Sequence, residues 1–134
     1  MTGMNLSNKN IPTIIVVLGA TGDLMKKKIV PALFNLYEDK KLPKLFHITG
    51  FSRRSLSSEN FREYVKKILD NNPDNIKKQK LVFEFLNMFT YQSGQLENEA
   101  DYKNLSALLG RIDGEWKACS NKLFYLAVPP AMYK

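Results

Sequence analysis

Thr13-Ile14-Ile15-Val16-Val17-Leu18-Gly19-Ala20-Thr21-Gly22-Asp23-Leu24 is the stretch whose reading decides the fold. Its first six residues are β-branched or apolar without alternation, the pattern of a strand buried on both faces. Gly19 closes the run. From about Asp23 to Tyr37 the pattern is helical, with Pro31 inside it. Proline removes one intrahelical donor and crowds the preceding turn, which predicts a short first turn and a fresh start near Pro31. A buried strand that ends in a glycine turn and opens a helix is the first half of a βαβ unit.

Outward from this unit the elements alternate. Residues 45–51 read as a second strand. A helix is expected from Ser58 to Asp70, where Phe61, Tyr64, Val65, Ile68 and Leu69 form one apolar face, and Asn71-Asn72-Pro73 ends it. A further helix is expected over about 76–86 and a short strand over 88–92. Another helix is marked by Tyr102, Leu105, Leu108, Leu109 and Ile112, with Asp113-Gly114 as its terminating turn. The last strand is expected over 122–128, closed by Pro129-Pro130. Strands alternating with helices imply a Rossmann-like α/β domain, a doubly wound parallel sheet covered on both faces. No repeat, low-complexity run or long linker interrupts residues 1–134, so one domain is expected.

Composition narrows the chemistry. The chain has 134 residues, 44% of them hydrophobic and 25% charged, ordinary values for one folded domain. It has one cysteine, Cys119, and one histidine, His47, which argues against an internal disulfide and against a zinc site; no metal is expected. Cys119 reads as a small, partly buried residue and His47 as a packed histidine inside the second strand. No run approaches 18 apolar residues, so no membrane span or membrane partner is expected. The start, Met1 to Asn10, has no apolar signal-peptide core, and a cytoplasmic address is expected. The formal charge is +7 and uneven: residues 1–80 carry 15 basic against 7 acidic side chains, residues 81–134 carry 5 against 6. A basic half suits an anionic partner, whether nucleic acid, membrane surface or phosphorylated small molecule.

Ligands of doubly wound sheets lie beyond the carboxyl ends of the strands. After the first strand, Gly19 and Gly22 would let the backbone turn tightly and meet a phosphate at the helix start. The spacing is G-x-x-G, and Asp23-Leu24 after Gly22 excludes a P-loop, which needs Lys and Ser/Thr there. Lys26-Lys27-Lys28 follow one turn later, and helical spacing lets at most one or two of them face a ligand. After the second strand comes Ser52-Arg53-Arg54, with no acid until Glu59. An acid there would hold ribose hydroxyls, whereas arginine suits a 2′-phosphate, so the residues point to NADP over NAD.

With these segments in place the chain resembles glucose-6-phosphate dehydrogenase. The resemblance is carried by Gly19 to Leu24 with Lys26-Lys27-Lys28-Ile29-Val30-Pro31, by Ile48-Thr49-Gly50-Phe51-Ser52-Arg53, by Thr90-Tyr91 with Gly94-Gln95, and by Leu123-Phe124-Tyr125-Leu126-Ala127-Val128-Pro129-Pro130. It implies an oxidoreductase of carbohydrate metabolism: NADP-dependent oxidation of glucose 6-phosphate at C1 to 6-phosphogluconolactone, in the pentose phosphate pathway. It implies that Gly19, Ala20, Thr21, Gly22, Asp23, Leu24 and Met25 wrap the pyrophosphate of NADP, and that Thr21 and Arg53 hold the 2′-phosphate. Gln95 and Leu96 would lie near adenine, Tyr133 near the nicotinamide half, and Lys28 toward the junction of coenzyme and substrate. Met25 stands where the family's alanine is expected and would add bulk near the pyrophosphate loop.

The family's E-K-P-F-G segment, H-Y-x-x-K motif and catalytic His–Asp pair do not occur in the sequence. The chain therefore reads as an incomplete N-terminal NAD(P)-binding domain, cut before the α+β substrate domain, with no catalytic residue and no activity alone. For the whole protein the resemblance implies a homodimer or homotetramer. Two other readings differ in class. A coenzyme domain of another reductase or epimerase would want a third glycine at position 25 or an acid after the second strand. A basic nucleic-acid module would want aromatics among its exposed basic residues, but Phe61 and Tyr64 fall on the apolar helix face; no nucleic-acid partner is expected.

Overall fold

The computed structural model describes residues 10–127. The strands are β1 (Thr13–Leu18), β2 (Phe46–Ser52), β3 (Phe89–Ser93) and β4 (Asn121–Leu126); the α-helices are α1 (Val30–Glu38), α2 (Ser58–Asp70), α3 (Gln79–Leu86) and α4 (Glu99–Trp116). The sheet is wholly parallel in the order β3-β2-β1-β4. The chain winds outward from β1 through β2 to β3, then returns to β1's other side. The reversal between β1 and β4 is the topological switch point of a doubly wound sheet.

Alternation along β1 feeds two cores. Ile15 and Val17 join Phe46, Ile48, Phe61, Phe85 and Phe89 under α1, α2 and α3. Ile14 and Val16 join Phe51, Leu105, Leu109 and Ile112 under α4. Each such side chain, fully buried, contributes about 1.5–3 kcal/mol relative to exposure.

The first helical segment departs from α geometry. Met25–Ile29 is a π-helical turn in which the Val30 N–H reaches Met25 O, and α1 begins afresh with Pro31 in its first turn. Pro31 has no N–H to donate one turn back, so the ladder shifts register there. The wider turn buries Met25 and Ile29 while Lys26, Lys27 and Lys28 are all exposed. Helix α2 matches its expected span, and the Ser57 hydroxyl caps it by accepting the Asn60 N–H at 3.0 Å.

Four expectations need correction. The segment before α3 is a 3-10 helix, Pro73–Lys78, capped by the Asn72 side chain, so the α-helix starts only at Gln79. Asp113-Gly114 is not a turn: α4 runs on to Trp116 and ends at Lys117, in the left-handed conformation. Trp116 packs on the second core, and the Asp113 carboxylate accepts from Ser120 Oγ at 2.6 Å and Lys122 Nζ at 2.7 Å, tying the helix to β4. Tyr102 lies on the exposed side of α4, 51% accessible, and Cys119 is exposed too. Val128 and the double proline lie outside the described residues.

The two sheet edges differ. On β3, Arg62 Nε donates to Phe89 O at 3.0 Å and the Tyr91 N–H donates to Ser58 Oγ at 2.9 Å, so side chains of α2 occupy the free edge. On β4, Leu123, Phe124 and Leu126 are exposed.

Candidate functional site

Three loops meet beyond the carboxyl ends of the strands and enclose a cavity of about 460 Å³. Leu18, Gly19, Thr21 and Gly22 line it from the β1 side, Phe51 to Arg54 from β2, and Gly94 to Glu97 from β3, with Leu126 and Ala127 closing the β4 side. The site therefore sits at the switch point, where the topology leaves a crevice.

The β1 turn is held by its own backbone. Gly19 has φ +76°, a conformation that favours glycine. Its N–H donates to Phe51 O at 2.9 Å, and the Gly22 N–H donates to Gly19 O at 3.1 Å. Those two donors are taken up within the fold. The first helical bond runs from the Lys26 N–H to Gly22 O at 3.3 Å, so among the described residues the helix's unpaired donors are those of Asp23, Leu24 and Met25. An anion on this turn would be met there, at the helix start, and not by the glycines' own N–H groups.

Side chains on this turn divide. Thr21 and Gly22 face the cavity, while Ala20 and Met25 are buried in the first core and Leu24 packs against it. The bulk of Met25 thus goes to the core and not toward the loop's ligand side, against expectation. Asp23 and Lys28 are exposed and do not line the cavity. Tyr133 lies outside the described residues.

The β2 turn brings charge. Arg53 and Arg54 both line the cavity, both are exposed, and among the described residues neither makes an ion pair. Two guanidinium groups without a carboxylate partner beside a helix start make an anion site with planar, bidentate donors. Arg54 as a second cavity-lining cation, and Phe51 and Leu126 as apolar walls, carry no signal in local sequence, since they converge only through the sheet order.

The β3 loop is laced to the β2 turn. The Gly94 N–H donates to Ser52 O at 2.8 Å, and the Gln95 N–H donates to the Asp101 carboxylate at 3.0 Å. Gly94 has φ +149°, and a Cβ there would lie 2.7 Å from the Asp101 side chain. Asp101 itself is fixed by the Asn98 cap of α4, whose side chain accepts the Asp101 N–H at 3.1 Å. Gln95 and Leu96 are held in this way at the cavity's rim.

His47 is remote from these loops. It lies near the amino end of β2, its Nε2 2.8 Å from Thr90 Oγ1, which is in turn 3.0 Å from Thr49 Oγ1. Burial, then the Arg62 charge, draws its pKa down from 6.5 to about 4. It is a neutral, hydrogen-bonded structural histidine, as expected. Among the described residues no group of three His, Cys, Asp or Glu side chains could hold a metal, and no helix is long and apolar enough to cross a membrane.

Comparison with known proteins agrees with this architecture. The family model described as glucose-6-phosphate dehydrogenase, NAD binding domain, matches residues 16–134. Glucose-6-phosphate 1-dehydrogenase of Kluyveromyces lactis is 39% identical over 122 residues, 90% of this chain and 24% of that protein. The Bacillus subtilis enzyme of the same name is 31% identical over 127 residues, 95% of this chain and 25% of that protein. A solved glucose-6-phosphate dehydrogenase in complex with its substrate glucose-6-phosphate superposes with a TM-score of 0.81 at 38% identity, covering 92% of this chain and 26% of that one. The chain thus spans about a quarter of the length of the relatives it matches. With a matching model over most of its length and a shared fold, the chain belongs to the glucose-6-phosphate dehydrogenase family, as part of that family's NAD binding domain.

Proposed function

We propose that this chain is the coenzyme-binding part of an NADP-dependent glucose-6-phosphate dehydrogenase. The whole protein would oxidise glucose 6-phosphate at C1 to 6-phosphogluconolactone, in the pentose phosphate pathway and in the cytoplasm. The observation that carries the coenzyme assignment is the pair Arg53 and Arg54, without an ion pair among the described residues and lining a cavity that the β1 turn also borders. The group fits these residues. Gly22 leaves a bare backbone beside the helix donors, Thr21 offers a hydroxyl, and the β2 turn offers cations where an acid would repel a 2′-phosphate.

When bound, the coenzyme supplies the hydride acceptor. The chain's own residues bind and orient it. Asp23, Leu24 and Met25 would meet the pyrophosphate through backbone N–H groups. Thr21 and Arg53 would hold the 2′-phosphate, and Gln95 and Leu96 would flank adenine. Lys28 and Tyr133 would serve the substrate side and the nicotinamide half.

Titration of the chain with NADPH, followed by coenzyme fluorescence, tests this reading. Displacement by NADP at about tenfold or more lower concentration than by NAD is expected, from a charge-assisted contact that NAD cannot make. Equal displacement by both would contradict it.

A further inference from the structure

We propose that Tyr91 is a positioning residue for coenzyme choice: its hydroxyl braces the Ser52–Arg54 turn from which Arg53 faces the cavity. This rests on the NADP reading above and adds to it the part that holds the arginine in place.

Tyr91 stands on β3 directly opposite Gly50 of β2. Its O–H donates to Arg54 O at 2.7 Å. The Ser52 hydroxyl bonds the same phenol oxygen, and the Arg54 N–H approaches Ser52 Oγ at 3.4 Å. These groups tie down the residue on each side of Arg53. The Arg53 side chain has no ion-pair partner among the described residues, so its direction is inherited from the backbone that these bonds fix.

The brace is anchored in the core. Tyr91 is 6% exposed, and its ring meets Phe61 at 5.0 Å between centroids. Phe61 fills the space over Gly50, where a Cβ would come within 2.6 Å of the ring. The Tyr91 N–H is held by Ser58 Oγ at 2.9 Å. The phenol therefore cannot follow a shifting turn; the turn must conform to it. Preorganisation of this kind lowers the ordering cost of binding.

Removal of the hydroxyl leaves the charge of Arg53 but frees its backbone. Tyr91→Phe keeps the ring packing and isolates that effect. The probes are 2′,5′-ADP and 5′-AMP, which differ by the 2′-phosphate alone. Tyr91→Phe is expected to weaken 2′,5′-ADP about tenfold and 5′-AMP by less than about twofold. In an Arg53→Ala background the same change should have no further effect on 2′,5′-ADP, because the brace acts through Arg53. Ser52→Ala removes the Ser52 contacts with Tyr91 and with the Arg54 N–H without touching the core, keeps the Tyr91 bond to Arg54 O, and should lower the ratio of 2′,5′-ADP to 5′-AMP affinity by a smaller factor in the same direction if Tyr91→Phe folds poorly. An unchanged affinity ratio in folded Tyr91→Phe and Ser52→Ala, with Arg53→Ala lowering it, overturns the brace and spares the coenzyme reading. A full Tyr91→Phe effect persisting without Arg53 also overturns it. A ratio that Arg53→Ala does not lower overturns both.

Discussion

The turn after β1 is held by hydrogen bonds within and around its own backbone, from the Gly22 N–H to Gly19 O and from the Gly19 N–H to Phe51 O. The turn after β2 is held from outside, by the Tyr91 hydroxyl and by the Gly94 N–H on Ser52 O. The first offers a ligand backbone donors at a helix start, and most of its side chains turn inward. The second offers side-chain charge on a braced scaffold. Backbone donors recognise a feature common to all dinucleotides, the pyrophosphate. Side-chain charge recognises what distinguishes one from another. On the proposed reading, pyrophosphate binding falls to the β1 turn and selection mainly to the β2 turn, with Thr21 beside Arg53 at the 2′-phosphate, and the two should be largely separable by mutation.

The strongest attack on this division is at Gly22. A Cβ there would lie 3.4 Å from Ala127 O and Gly19 O, close to ordinary contact, so the fold itself tolerates a small side chain. On the proposed reading the bare backbone is needed by a coenzyme pyrophosphate that approaches closely. Gly22→Val is expected to abolish binding of NADP and NAD alike, a loss of at least about 3 kcal/mol, because its branched side chain fills the space over the helix donors. Calorimetry on a chain shown to be folded by circular dichroism checks this. Retained binding of either coenzyme would place the pyrophosphate elsewhere.

A smaller effect should touch neither turn. The pKa of His47 in the folded chain, about 4, is below its ordinary 6.5. Unfolded chains therefore take up the proton first. Stability is full above pH 6.5 and falls as pH drops toward 4, by roughly 3 kcal/mol in all. Urea unfolding at pH 7 and pH 4.5 should show this loss in the native sequence and a smaller one in His47→Leu. Equal losses would mean that His47 is not held neutral. Because His47 lies at the opposite end of β2 from Arg53, the variant should leave the ratio of NADP to NAD affinity unchanged at pH 7.

Much of the architecture was legible locally. The unbroken β-branched run of β1, the five-residue apolar face of α2 and the glycines after β1 each carry their structure in a short window. The end of α4 did not. Asp113-Gly114 has turn chemistry, but the bonds from Ser120 and Lys122 to Asp113, and the packing of Trp116, override it. The π turn at Met25–Ile29 follows from Pro31, and it leaves all three lysines exposed. Arg53 could be found from its place after a strand. Tyr91 could not, because its role depends on β3 lying beside β2 and on a phenol that reaches across the sheet. The sequence also does not show that the two glycine N–H groups are taken up inside the fold, by Phe51 O and by Gly19 O.

On the proposed reading the β2 turn, through Arg53, selects the coenzyme's 2′-phosphate. Calorimetric titration of the native chain and of Arg53→Ala with both coenzymes tests it most directly. Loss of one charge-assisted contact should cost NADP about 1.5–3 kcal/mol, roughly a tenfold to hundredfold weakening, and leave NAD within about twofold. Equal weakening of both coenzymes, or none, would contradict it.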